Sequence, residues 1–421
     1  MKILFIHQNF PAQFVHLAPA LAALGHEVLA LGTRDETSVL HGVRYCTYPF
    51  GEQPKENAPW GAFTKGLQGR LARADAVAAA LQRLKSQGIA PEVVIAHSGW
   101  GEAFHAKSVF PNARLLVYAE YFYGTAGGDV GFDPEFSQPG LASAQKSAIN
   151  NLHLMQALVN ADSAVSPTEF QRAQHPQELQ SKISVIHDGI DTRRFAPNPA
   201  AWVQLGRTGL TLRVQDEVIT FVARQLEPYR GYHTFMRALP QLLQSRPRAR
   251  VVIVGGDGAS YGPAAPQGTS WKNVFLDEVK ADMDMGRVHF VGRVPHDTLK
   301  QLLQVSTVHV YLTYPFVLSW SLLEAMSMGC LVVASDTAPV REVIRDGHNG
   351  LLTDFFDPTA LAARVADAIE NRLAMAALKD RARQTIVDRF DLQGVCLPKA
   401  LQWALGHGAE VAAPRQHTPP G

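Results

Sequence analysis

The stretch 310–335, VYLTYPFVLSWSLLEAMSMGCLVVAS, constrains the fold of this chain more than any other. It reads as a strand over 307–312, a loop over 313–318, a helix over 319–328 and a second strand over 330–334, with Pro315 and Gly329 as turn signals. In an open parallel sheet the loop lies at the carboxyl ends of the strands, where ligands bind. Glu324 is the only charged residue of the stretch. A carboxylate among Leu322, Leu323, Ala325 and Met326 is costly to bury unless something pairs with it. Glu324 is therefore a candidate site residue, and a lone glutamate held by a structural arginine is the plainer alternative.

The same alternation fills the rest of the chain. A strand over 2–6, a polar loop over 7–13, a helix stopped by Gly25 and a strand over 27–31 make a βαβ opening. The first loop, HQNFPAQ, lacks G-x-G-x-x-G, so a dinucleotide fingerprint is absent there. Apolar strands over 92–96 and 114–119 deliver His97 and Glu120 at their carboxyl ends. Residues 124–140 hold many glycines, Asp129, Asp133 and little periodicity, and read as a mobile loop over a site. The run HDGIDTRRFAPNP at 187–199 reads as a boundary, after which strands resume over 218–223, 250–254 and 287–291. At 421 residues two domains are the default, here two doubly wound α/β sheets.

Composition excludes several classes. A net charge of +1 with no basic stripe argues against nucleic acid as a partner. Cys46, Cys330 and Cys396 lie far apart, form no metal spacing and suggest a reducing compartment. The opening MKILFIHQN is too short for a signal-peptide core, and no uncharged run reaches the roughly 18 residues of a membrane span. A cytoplasmic protein is expected, at most peripheral to the inner face of a membrane. Lys55, Trp60, Phe63 and Lys65 offer such a contact, or one with a lipid-linked acceptor; solvated loop residues are the plainer reading.

Two loops of the second half carry conspicuous cations. Arg224 follows an apolar strand in ARQLEPYRG, and Arg230 comes six residues later. If the strands align, this loop opens on the same edge as the helix beginning at Ser319. Two guanidinium groups and a helix N-terminus form a receptor for a diphosphate, whereas two surface arginines are the bland alternative. The glycines around Gly256 let backbone approach a ligand closely. Glu324 is suited to a pair of vicinal hydroxyls such as a ribose diol. No aspartate pair stands in a metal-ligand pattern, and no metal or other cofactor is expected.

Six segments in order carry a resemblance: HDGIDTRRF, ARQLEPYRG, VVIVGGDG, HFVGRVPHDTL, LLEAMSMGCLVVASD and EVIRDGHNGLL. The chain resembles the retaining, nucleotide-sugar-dependent glycosyltransferases of GT-B architecture, in a bacterial subgroup of glycosyltransferase family 4-like enzymes. The resemblance implies two Rossmann-like domains facing a central cleft. It implies an acceptor-side domain over 1–190, a donor domain over 191–390, a helix over 391–405 returning to the first domain and a disordered tail over 406–421. Arg224 and Arg230 match the residues that bind the donor diphosphate, and Glu324 the second glutamate of a Glu-x7-Glu motif that holds the ribose. Val291, Gly292 and Arg293 match the segment beside the base. Ser319 and Trp320 match positions whose N–H groups approach phosphate and sugar.

The departures are equally specific. The motif's first glutamate falls at Phe316, which has no carboxylate for a donor sugar. Glu120 stands where many relatives carry a histidine near that sugar, and Asp188 replaces a frequent asparagine. Glu120 and His97 are candidates for contact with sugar or acceptor, or are satisfied strand-end groups. The expected activity is transfer of a sugar, with retention, from a nucleoside diphosphate donor to a glycan, lipid-linked or protein acceptor. In that class the departing phosphate deprotonates the acceptor on the same face. Alternatives are a non-hydrolysing epimerase and a nucleotide-sugar-binding partner subunit. Base, sugar, acceptor and oligomeric state are not written in these residues.

Overall fold

The computed structural model describes residues 1–34, 40–50, 64–125, 127–206, 209–258 and 260–406. Lys55, Trp60 and Phe63, the side chain of Lys65 and the tail 407–421 lie outside the described residues. The chain divides into two compact units. Met1–Phe122, Gln145–Gly189 and the segment from Leu392 onward make the first, and Tyr123–Ala144 with Ile190–Asp391 the second.

The first unit is built on β1 (Lys2–Ile6), β2 (Glu27–Gly32), β3 (Val43–Thr47), β4 (Val93–His97), β5 (Arg114–Tyr118), β6 (Ser163–Ser166) and β7 (Ile183–Val185). They form one parallel sheet in the order β3-β2-β1-β4-β5-β6-β7. Both faces are covered, which is why its strands read as apolar runs rather than as alternation. Leu4 and Ile6 face Val77, Leu81 and Leu84 of the helix Thr64–Ser86. Ile3 and Phe5 face the other way, toward Leu17 and Leu21 of the helix Leu17–Ala23. Leu401 and Ala404 of the helix Leu397–Leu405 complete that second face. Each large side chain buried this way contributes about 1.5–3 kcal/mol.

The second unit opens with an antiparallel pair, β8 (Trp202–Gln204) and β9 (Thr211–Arg213). Its main sheet holds β10 (Val218–Gln225), β11 (Arg250–Gly256), β12 (Val288–Gly292), β13 (Val308–Tyr311), β14 (Leu331–Ser335) and β15 (Leu351–Thr353). The order is β12-β11-β10-β13-β14-β15, parallel throughout. Its core strands are again buried on both faces, Ile219 and Phe221 against Phe235 and Leu239 of the helix Tyr232–Ser245. Because all six strands run one way, the ends of β12, β11, β10 and β13 lie side by side at one edge.

Two expectations change here. β10 continues to Gln225 instead of stopping at Ala223, so Arg224 lies inside a strand. A register irregularity between Val222 and Gln225 breaks its pairing with β11, the kind of bulge that re-aims a side chain at a sheet's end. The segment 124–140, read as a mobile loop over a site, belongs to the second unit and buries two of its aspartates there.

Candidate active site

At the carboxyl edge of the second sheet, β10 runs into a single 3-10 turn, Pro228–Arg230. Gly231 follows with φ +65, and a Cβ there would stand 2.3 Å from Leu312 Cβ. Only glycine accepts both constraints, and the turn is thereby pressed onto the end of β13. Arg230 is consequently 7% exposed. Its Nη1 donates to Thr313 Oγ1 at 2.9 Å and to the Val317 carbonyl at 3.1 Å. The guanidinium also lies 5.3 Å from the centre of the Tyr261 ring. Arg230 is thus fixed against the loop that leads into the helix Trp320–Ser327. Arg224 is different. It is exposed, and its side chain makes no hydrogen bond or ion pair to another described residue.

Glu227, given no role by the sequence, organises the neighbouring loop. Its carboxylate is 0% exposed and accepts from Ser260 N at 3.0 Å, Ser260 Oγ at 2.5 Å, and Tyr261 N and Gly262 N at 3.4 Å. Several donors on one carboxylate offset the cost of burying it, and they hold Tyr261 over Arg230. Gly256 ends β11 where a Cβ would meet Gln225 Oε1 at 2.3 Å and Arg293 Nε at 2.9 Å. The glycine therefore keeps room beside Arg293, which with Val291 and Gly292 follows from the end of β12. Gly292 itself has φ +67.

Glu324 sits on the helix Trp320–Ser327, 5% exposed. Its partner is not the structural arginine of the plainer reading but His296, whose Nε2 lies 2.9 Å from Glu324 Oε1. That hydrogen bond raises the His296 pKa above its usual value. His296 opens the helix His296–Gln304, and its ring centre lies 5.0 Å from that of Phe195 at a tilt of 45°. No local pattern says that this helix start abuts the other helix; only the histidine in VPHDTL hints at it.

One further expectation changes. The Ser319 N–H, assigned to phosphate, donates to Tyr311 Oη at 2.9 Å, because the ring at the end of β13 turns under the loop. Trp320 is exposed at the first turn of its helix. Phe316 is buried with ring centres 5.4 Å from Tyr229 and 4.9 Å from Tyr261, so an aromatic wall stands where the resemblance places a carboxylate. The structure also gathers Asp133, Glu135 and His233 within metal-ligand range of one another, which the sequence did not suggest. Both oxygens of Glu135 are engaged by Arg237 at 2.7 Å, which marks an ion-pair anchor.

In the first unit His97 ends β4, fully buried. Its Nδ1 accepts from Gly99 N at 2.9 Å, and its ring stacks on Tyr118 at 5.1 Å. Burial, and then the nearby His7 and His153, hold its pKa well below the usual value. The ring is neutral with its proton on Nε2, which points toward Glu120 Oε2 at 3.9 Å. Glu120 Oε1 accepts from Gln13 Nε2 at 3.4 Å. His97 and Glu120 are therefore neighbours, a neutral donor beside a carboxylate. Glu102, overlooked in the sequence, accepts from Tyr48 Oη at 2.9 Å. Burial lifts its pKa to about 7 against the lowering hydrogen bond from Tyr48.

Among the described residues no helix is long and apolar enough to cross a membrane. Residues 24–195 match the family described as glycosyl transferase family 4 group, and residues 208–385 match glycosyl transferases group 1. A D-inositol 3-phosphate glycosyltransferase of Streptomyces avermitilis is 27% identical over 238 residues, 53% of this chain and 49% of the relative. The chain thus spans about half the length of the first curated relatives it matches. A glycogen synthase of Mycobacterium tuberculosis is 26% identical over 95% of this chain and 94% of its own. Among solved structures, HepE of Anabaena in complex with UDP and glucose superposes with a TM-score of 0.66 at 19% identity, covering 96% of this chain and 97% of that one. Sucrose-phosphate synthase of Thermosynechococcus elongatus gives 0.70 at 18%, covering 96% and 98%.

Proposed function

This chain belongs to the GT-B glycosyltransferases, and on that footing we propose that it transfers a sugar, with retention of configuration, from a nucleoside diphosphate donor to a glycan, lipid-linked or protein acceptor. The observation that carries this reading is the fixed guanidinium of Arg230, held by Thr313 and Val317 at the edge that also presents Arg224 and Gly256. A buried cation with donors left over, beside an exposed one, suits the charge that builds on a departing diphosphate. The bond from the sugar's anomeric carbon to the phosphate oxygen breaks as the acceptor oxygen bonds to that carbon. The acceptor's proton passes to the departing phosphate. Glu324, oriented by His296 through one oxygen, offers the other to a ribose diol. Val291, Gly292, Arg293 and the N–H of Trp320 line the remainder of the donor; the part-exposed Glu120 takes a sugar or acceptor hydroxyl, and the fully buried His97 acts only by orienting Glu120. The three cysteines are free thiols, which fits the cytoplasmic location that belongs to this reading.

Removing the charge of Glu324 tests the ribose contact. Glu324→Gln is expected to raise donor KM by about tenfold to a hundredfold with kcat nearly unchanged, since one charged hydrogen bond is worth about 1.5–3 kcal/mol. An unchanged KM would remove the residue from the site.

The reading as a whole is tested by thermal shift across uridine, guanosine and adenosine diphosphate sugars, beginning with UDP-glucose, the ligand of an Anabaena HepE complex. Turnover is then followed with and without acceptors. One base should stabilise the protein, turnover should require an acceptor, and protein treated with a chelator should keep its rate, because two guanidinium groups replace a metal in this scheme. Reaction without acceptor would indicate an epimerase. Donor binding without transfer to any acceptor would indicate a partner subunit, the alternative raised by Phe316 in place of a carboxylate.

A further inference from the structure

The chain leaves the first unit after Phe122 and re-enters it at Gln145, and the intervening Tyr123–Ala144 belongs to the second unit. Before the helix that starts at Leu141 this strap forms no helix or strand among its described residues, yet it carries two buried carboxylates. Asp129 is 3% and Asp133 2% exposed. Each takes a tyrosine hydroxyl. Tyr229 Oη donates to Asp129 Oδ2, and Tyr314 Oη donates to Asp133 Oδ2 at 3.0 Å. Asp133 Oδ2 also lies 3.1 Å from His233 Nε2. Burial alone would raise the Asp133 carboxyl, but the hydrogen bonds from His233 and Tyr314 bring it below its ordinary value. Aromatic contacts seat the strap as well, with Phe132 at 5.1 Å from Tyr314 and Phe136 at 5.3 Å from Trp271.

The two tyrosines flank the diphosphate receptor in the chain. Tyr229 precedes Arg230 and Tyr314 follows Thr313, the two residues joined by the Arg230 Nη1 hydrogen bond. The tyrosines are joined to each other too, by Tyr314 N–H to the Tyr229 carbonyl at 3.0 Å and by rings 4.6 Å apart. The strap's carboxylates thus hold, by their hydroxyls, the two tyrosine side chains adjacent in the chain to the pair that aims the guanidinium. We propose that Asp129 and Asp133 are positioning residues for the donor diphosphate, acting through Tyr229 and Tyr314 on the Arg230–Thr313 pair. The inference rests on the reading that Arg230 meets the diphosphate. It adds that a segment drawn from the sequence of the first half sets the orientation of the donor site in the second.

The test is calorimetric, on the full chain, with uridine, guanosine and adenosine diphosphates and the matching nucleosides as probes. Tyr229→Phe and Tyr314→Phe keep the ring packing and delete only the hydroxyls, and Asp133→Asn keeps the shape. For the base that binds, the ratio of diphosphate to nucleoside affinity should fall by about tenfold in each variant, the loss of one charge-assisted hydrogen bond. The double variant of Asp133→Asn and Tyr314→Phe should lose little more than either alone. A merely structural role would lower both affinities together and leave the ratio untouched, which overturns the inference. Should Asp133→Asn fail to fold, the two tyrosine variants decide the matter by the same ratio. Wild-type protein that binds no diphosphate overturns the functional reading and the inference together; wild-type binding with unchanged ratios in the variants overturns the inference alone.

Discussion

Arg230→Ala is expected to lower donor kcat/KM by about a thousandfold, the largest loss of any single substitution in this chain. Removing one preorganised donor from developing charge typically costs a factor of about 10²–10³. The truncation also strips Thr313 Oγ1 and the Val317 carbonyl of their shared partner, at about 1–3 kcal/mol for the buried Thr313 and less for the half-buried Val317 carbonyl. Arg230→Lys separates these contributions. A lysine restores charge without the planar fork, so it should recover about tenfold of the rate but not the geometry of the loop. Kinetics at saturating acceptor, with circular dichroism to verify folding, read the effect. If Arg230→Ala stays within tenfold of wild type, the diphosphate is met elsewhere and the proposed chemistry loses its main support. Arg224→Ala should cost less, because an exposed arginine with no partner among the described residues keeps more freedom before it binds.

The second large effect is acid instability confined to one unit. His7, His153, His175 and His187 are each held down to about 4 by burial, and His97 is held well below its usual value by burial and its histidine neighbours. All five lie in the first unit. A histidine kept neutral when folded binds fewer protons than when unfolded. Its stabilising contribution is therefore complete above about pH 6.5 and is lost as pH falls toward about 4. At pH 5.5 each of the four held at about 4 costs roughly 1–2 kcal/mol, about 6 kcal/mol together, and His97 adds a loss in the same direction.

Glu102 works in the opposite direction. Its folded carboxyl, raised to about 7, keeps a proton that the unfolded chain has shed. Its contribution is complete below about pH 4.5 and is lost as pH rises through 7, so between pH 8 and pH 5.5 it gives back about 2 kcal/mol. The net loss of roughly 4 kcal/mol, before His97 is added, is a large part of a domain's stability and corresponds to a fall in Tm of about 8–16 °C. In the second unit His309 is held at about 4 by burial and His289 is lowered, but His296 is raised by Glu324 and offsets part of that loss. Hydrogen exchange across pH 8 to 4.5 should show the first unit losing protection near pH 5.5 while the second persists. Loss of both units at one pH, or a first unit intact at pH 4.5, would mean that these histidines are not held neutral. Glu102→Gln should raise the first unit's Tm at pH 8 and leave it unchanged at pH 4.5.

The legible part of this molecule was its layering. Strands such as Lys2–Ile6 and Arg250–Gly256 begin and end within a few residues of where apolar runs place them, because a strand covered on both faces must be apolar throughout. The βαβ rule then put Arg224, Arg230 and the start of the helix Trp320–Ser327 on one edge. Candidate site residues stood out where a buried charge broke an apolar run, as Glu324 does, and did not where the charge sat in a polar loop. Glu227, Asp129 and Asp133 look in the sequence like ordinary loop acids, yet each is buried with partners.

By itself the sequence determined that there are two parallel sheets, that both are covered on each face, and which loops open at the carboxyl edge of the second. Hydrophobic periodicity is a property of neighbouring residues and survives whatever the distant chain does. Only the tertiary structure decided that Glu324 pairs with His296, that Ser319 N–H goes to Tyr311, and that a strap from the first half of the sequence grips Tyr229 and Tyr314. Those contacts join residues whose separation in the chain carries no periodic signal, and each is selected by the need to satisfy a polar group once packing has removed it from water.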